Sequence, residues 1–165
     1  MKKKLIVAAA ALAIGLGAAA ALLQRAAAPE VRFATLSGEP LTTSSLRGKV
    51  LLVNFWATSC ASCVQEMPNL AAAYRKLAPR GYEMVAVAMS YDHPNRVAEF
   101  AHRRALPFKV VLDGDGSIAR DFGGVRATPT SFLIDRKGRV LKRYLGEPDW
   151  AQFYTLVEQA LNDPA

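Results

Sequence analysis

Cys60 and Cys63 are the two cysteines of the chain, and two residues separate them. The attacking species in disulfide chemistry is a thiolate, not a thiol. A sulfur at the N-terminus of a helix faces unpaired backbone N–H groups and the positive end of the helix dipole, and both lower its pKa. The run Val50 to Trp56 is apolar and β-branched, as a strand buried on both faces should be. From Cys60 to about Ala78, Met67, Leu70, Ala71, Tyr74 and Leu77 recur on one helical face. Thr58 and Ser59 offer N-caps between the two. Cys60 is therefore placed at a strand-to-helix turn, and Cys63 follows nearly one turn later, so the sulfurs can meet. The chemistry this suits is thiol–disulfide exchange, with Cys60 attacking and Cys63 resolving the mixed disulfide.

Other uses of the pair fit less well. A structural staple normally closes a long loop, and a two-residue gap restrains almost nothing. Zinc needs four ligands, and the only histidines, His93 and His102, stand nine residues apart, the second in mid-helix, and read as solvated surface. A thiol peroxidase needs Thr or Ser three residues before its reactive cysteine, where Ala57 stands; haem attachment needs His after the second cysteine, where Val64 stands. A module that holds Cu(I) between the two sulfurs stays as the alternative function.

A resolving thiol must lose a proton. Glu66 is an i, i+3 neighbour of Cys63 and the only acidic residue between Glu39 and Glu83. Asn54, on the preceding strand, cannot titrate. Spacing alone leaves Glu66 equally readable as a general acid and base or as a solvated surface charge.

The remaining elements follow the same patterns. Val31 to Leu36 reads as a strand, with a turn at Ser37 to Pro40 and a connection at Ser44 to Lys49. Tyr82 to Tyr91 holds a second buried strand, Pro94 opens a helix to about Ala105, and Phe108 to Leu112 is a third strand. Ser117 to Phe122 reads as a short helix stopped by Gly123-Gly124. Thr130 to Asp135 and Arg139 to Leu145 form a hairpin around Arg136-Lys137-Gly138, and Asp149 caps a last helix. The order is β-β-β-α-β-α-β-α-β-β-α, with parallel units first and a hairpin last.

The net charge of +7 does not point to nucleic acid. Lys2, Lys3, Lys4 and Arg25 flank the first apolar run, and the 17 basic and 14 acidic residues after them are interspersed, with no basic stripe. That first run, Leu5 to Leu23, holds 19 uncharged residues, about one membrane span. Lysines before it place the N-terminus inside and the rest outside. An uncleaved anchor is favoured over a cleaved signal, although Ala18-Ala19-Ala20 and Ala26-Ala27-Ala28 both fit a peptidase site. The expected division is an anchor or signal segment at 1–25, a linker at 26–30 and one folded domain at 31–162. The expected location is the periplasmic side of an inner membrane, or the periplasm itself if the signal is cleaved.

Val53-Asn54-Phe55-Trp56-Ala57-Thr58-Ser59-Cys60-Ala61-Ser62-Cys63-Val64-Gln65-Glu66-Met67-Pro68 resembles the active-site stretch of the TlpA/ResA-type thioredoxin-like proteins, which are exported or membrane-anchored thiol–disulfide oxidoreductases. Ala127-Thr128-Pro129-Thr130 before the hairpin adds to the likeness, which runs over about residues 31 to 162. It implies a thioredoxin-like α/β fold, a central mixed β-sheet flanked by helices, with an N-terminal β extension and a β-α insertion. It implies a helix kinked at Pro68 and a cis Pro129 facing the cysteines, against the usual preference for trans. Trp56, Thr128 and Pro129 become the expected substrate-binding residues, the Thr128 backbone pairing with an extended peptide. A family glutamate close to the cysteines favours the acid–base reading of Glu66. No cofactor beyond the Cys60–Cys63 disulfide, and no metal, is implied. The implied partners are exported proteins, such as apocytochromes c or copper-handling proteins, and a membrane donor of reducing equivalents. Ser59 and Ala61-Ser62 depart from the Trp before the first cysteine and the x-Pro between the cysteines of thioredoxins. Asn54 replaces thioredoxin's buried Asp, a change the TlpA/ResA group shares.

Overall fold

The computed structural model describes residues 26–164. The expected membrane span at residues 5–23, its flanking charges and the first peptidase site lie outside the described residues.

Five strands form one sheet in the order β5-β4-β3-β6-β7. They are β3 (Val50–Trp56), β4 (Tyr82–Ala88), β5 (Lys109–Leu112), β6 (Thr130–Ile134) and β7 (Val140–Leu145). β3 pairs parallel with β4, and β4 with β5, while β6 runs antiparallel to both β3 and β7. Every residue of β3, β4 and β6 is buried, which is why these runs carry no polar–apolar alternation. Successive side chains still point to opposite faces. Leu52, Trp56, Met84 and Leu133 meet helices α1 (Ala61–Leu77), α2 (Pro94–Arg103) and α4 (Trp150–Asn162) on one side. Val53, Phe55, Val87 and Phe132 meet α3 (Ser117–Asp121) and the N-terminal segment on the other.

That N-terminal segment is a small antiparallel hairpin, β1 (Arg32–Ala34) with β2 (Pro40–Thr42). Isolated bridges tie Thr35 to Val111 and Ala27 to Arg139, on strand β5 and beside strand β7. The observed order matches the expected one, and the mixed sheet flanked by helices is the thioredoxin-like fold.

Differences lie at element ends. α1 is capped by Cys60, not by Thr58 or Ser59: Cys60 is extended at φ −88°, ψ 104°, and its sulfur accepts the Cys63 N–H. Cap preference ranks oxygen side chains first, but the motif must place a sulfur there for chemistry. α2 stops at Arg103, short of Ala105, because Ala105 turns into the left-handed region at φ 44°. Pro68 stands inside α1, where it supplies no N–H to the Val64 carbonyl.

Candidate active site

The site is assembled where β3 ends and α1 begins. The Cys60 N–H donates to the Ala57 carbonyl at 3.1 Å, closing the turn. Asp92, on the loop between β4 and α2, accepts the Thr58 N–H at 2.5 Å and its hydroxyl at 2.6 Å. This clamp holds the residues just before Cys60. Cys60 and Cys63 are joined by a disulfide, with Cα atoms 5.2 Å apart. Cys60 is partly exposed, while Cys63 is 0 % exposed. The Cys63 N–H reaches the Cys60 sulfur at 3.2 Å and the Ser62 hydroxyl lies 3.5 Å from it. An attacking sulfur thus has donors around it and solvent in front, and its partner has neither.

Thr128 and Pro129 come from the loop before β6, the antiparallel neighbour of β3, whose Thr130 pairs with Phe55 at the same end of the sheet. Their peptide bond is cis, as the resemblance implies. The Thr128 carbonyl oxygen lies 3.6 Å from the Cys60 sulfur. The Pro129 carbonyl accepts the Gly146 N–H at 2.8 Å, which fixes this loop to the end of β7. The Tyr91 hydroxyl is 3.4 Å from the Thr128 hydroxyl, with 63 % of Tyr91 exposed.

Glu66 is 0 % exposed, so the surface reading of this residue fails. Its Oε1 accepts from Asn54 Nδ2 at 2.9 Å, and Asn54 Nδ2 also donates to the Ser131 hydroxyl at 2.9 Å. Its other oxygen, Oε2, has no hydrogen-bond partner among the described residues. Burial raises the carboxyl pKa to about 7, the Asn54 bond works against the rise, and the nearby Glu147 charge adds to it. A carboxyl poised there can take or give a proton near neutral pH.

Trp56, expected among the substrate-binding residues, is a core residue in this structure. It is 0 % exposed, and its ring packs against Phe100 at 5.2 Å between centroids. β3 is buried on both faces up to its last residue, so Trp56 lies under the site, packed in the core, and not on its surface. His93 and His102 are exposed at the two ends of α2, and among the described residues no three His, Cys, Asp or Glu converge as a metal site would require.

Sequence patterning does not single out Asp92, Tyr91 or Ser131. Asp92 and Tyr91 sit in a connecting loop, where spacing carries no information about contacts across the fold. Asn54 had a visible signal, a lone amide in an apolar strand, whose partner across the helix spacing could not name.

Residues 24–158 match the Redoxin family. The thiol-disulfide oxidoreductase ResA of Bacillus thuringiensis is 34 % identical over 120 residues, 73 % of this chain and 68 % of that protein. The chain belongs to the redoxins, and among them to the TlpA/ResA type. A thioredoxin-family thiol:disulfide interchange protein from Chlorobium tepidum superposes with a TM-score of 0.76 at 30 % identity, covering 84 % of this chain and 98 % of that one. Protein DipZ of Mycobacterium bovis is 32 % identical over 133 residues, but these are only 19 % of its length. This redoxin is a thiol–disulfide oxidoreductase with a Cys-x-x-Cys pair, Cys60 and Cys63.

Proposed function

We propose that this enzyme reduces disulfides in exported proteins, with Cys60 as attacking sulfur, Cys63 as resolving sulfur and Glu66 as the proton partner of Cys63. The observation that carries this reading is the asymmetry of the pair: a partly exposed Cys60 beside a fully buried Cys63, one helical turn from a buried carboxyl with a pKa of about 7. The Cys60 thiolate attacks one sulfur of the substrate disulfide, and the other sulfur leaves as a thiolate. Cys63 gives its proton to Glu66 and attacks the Cys60 sulfur. The Cys60–Cys63 disulfide forms, the second substrate sulfur leaves, and two electrons have passed to the substrate.

An extended substrate segment lies along the Thr128–Pro129 loop, the Thr128 backbone next to the Cys60 sulfur. Apocytochromes c and copper-handling proteins fit as substrates by family likeness, and a membrane dithiol donor regenerates the reduced enzyme. Residues 5–23 anchor the domain at 31–162 on the periplasmic side. The reductive direction predicts a potential nearer the roughly −270 mV of thioredoxin than the roughly −120 mV of DsbA.

The deciding experiment is trapping. A Cys63→Ser variant is expected to accumulate mixed disulfides with exported proteins, and Cys60→Ser to accumulate none. Adducts formed through Cys63 alone overturn the assignment of the two sulfurs. Disulfide turnover by metal-free protein separates this enzyme reading from a Cu(I)-holding one.

A further inference from the structure

The whole described body carries 17 basic and 14 acidic residues, close to balance. Three of the basic residues, Arg96, Arg103 and Arg104, nevertheless lie together beside the site. A recess of about 380 Å³ opens between the residues preceding Cys60 and the outer face of α2, lined by Ser59, Phe100, Arg96, Arg103 and Arg104, with Glu99 as its one carboxylate. Glu99 is bound to Arg103 at 3.2 Å. Among the described residues, Arg96 and Arg104 have no carboxylate within ion-pair distance. Asp92, on the adjoining loop, is engaged by the Thr58 N–H and hydroxyl and by the His93 N–H. The Arg104 guanidinium stacks 5.5 Å over the Phe100 ring, and Phe100 packs on buried Trp56. That stacking holds one of the cations in place against the core.

We propose that this recess is a docking subsite for acidic side chains flanking the reactive cysteine of a protein substrate. The inference rests on the reading of the substrates as polypeptides. Ser59 lines the recess and adjoins Cys60, about 3.8 Å away along the chain. An extended peptide advances about 3.3 Å per residue, so a chain bonded to Cys60 reaches the recess two or three residues from its own cysteine. Two unpaired guanidiniums there offer forked donors that match carboxylate geometry. An acidic residue at that spacing is the partner chemistry they select.

Three peptide homodimers test this, each linked by one disulfide and differing only in the pair of residues two and three positions from the cysteine: Glu-Glu, Gln-Gln or Lys-Lys. The reduced full chain converts each dimer to two thiols in a single turnover, and the thiols released give the rate. The Glu-Glu dimer is expected to react about 3- to 10-fold faster than Gln-Gln at low salt, with Lys-Lys slowest and the spread shrinking as salt rises. In an Arg96→Gln/Arg104→Gln variant the Glu-Glu to Gln-Gln ratio should fall to near one. A ratio between two substrates does not depend on how much of the variant is folded. Arg75→Gln/Lys137→Gln removes the same charge at the far end of the fold and should keep the ratio. Equal rates for all three dimers overturn the subsite, as does a ratio that both double variants weaken alike. Turnover of a small-molecule disulfide but of no peptide sinks the polypeptide reading as well as the subsite.

Discussion

Glu66 holds a carboxyl where water cannot solvate its charge, and both pH-dependent predictions follow from that. Its pKa in the folded protein is about 7, against an ordinary 4.5. Between those values the folded chain keeps a proton that the unfolded chain has released. The stability contributed by the protonated carboxyl is therefore complete below about 4.5 and is lost as pH rises through about 7. Glu66→Gln keeps the shape and removes the titration. In the oxidised protein the variant should exceed the parent in stability by up to about 3 kcal/mol near pH 8.5 and match it near pH 4.5. Denaturant melts at the two pH values check this. The same variant should lose several-fold in disulfide-exchange rate, with a shifted pH profile. If rate and profile match the parent from about pH 5 to 9, the Cys63 proton goes to water and Glu66 has no part in the exchange.

At the scale of elements, the helix–strand unit α2–β5 both carries the arginine recess and widens the sheet. β5 is an edge strand of four residues, and an ion pair holds it to β4. Lys109 Nζ lies 2.9 Å from Glu83 Oε2 and Lys49 Nζ lies 3.4 Å from it, with the Glu83 side chain 4 % exposed. Burial by itself would raise the Glu83 pKa, but the Lys109 bond and the Met84 N–H hold it below the ordinary carboxylate value. Stability from this group is present above the ordinary pKa and is lost as pH falls through the depressed one. Lys109→Met leaves the carboxylate buried with one cation fewer and should cost about 2–4 kcal/mol. Urea melts test it: adding Glu83→Gln should recover part of the loss, and a double variant as unstable as the sum of the singles would mean the pair is not coupled.

For the molecule as a whole, the expectation is a domain held on the outer face of a membrane. No helix among the described residues is long and apolar enough to cross a membrane, and the proposed anchor is the apolar run at residues 5–23. Lysines before that run and a redox domain after it predict an N-in, C-out arrangement. An alkaline-phosphatase fusion after Ala165 should be active, with the protein sedimenting with membranes. An inactive fusion would rule out export; soluble protein beginning near Ala21 or Pro29 would rule out only the anchor.

Periodicity and motif spacing were enough to read the element order, the strand–turn–helix around Cys60 and Cys63, and the hairpin after Pro129. These are local properties: burial on both faces leaves an unbroken apolar run, and helical burial leaves a 3.6-residue period. The likeness of two short stretches to a known family added the cis Pro129 and favoured the acid–base reading of Glu66, neither of which spacing could supply. Contacts between distant parts of the chain settled the rest. Trp56 and Glu66 both stand beside the motif, and only packing against Phe100 and Asn54 shows that one is the floor of the site and the other its buried carboxyl. Asp92 binds the turn before Cys60 from the loop after β4, and Arg96 on α2 lines the recess beside that turn, each more than thirty residues away along the chain. A loop residue has no period to betray its partner, so its role emerges when the sheet brings its neighbours together.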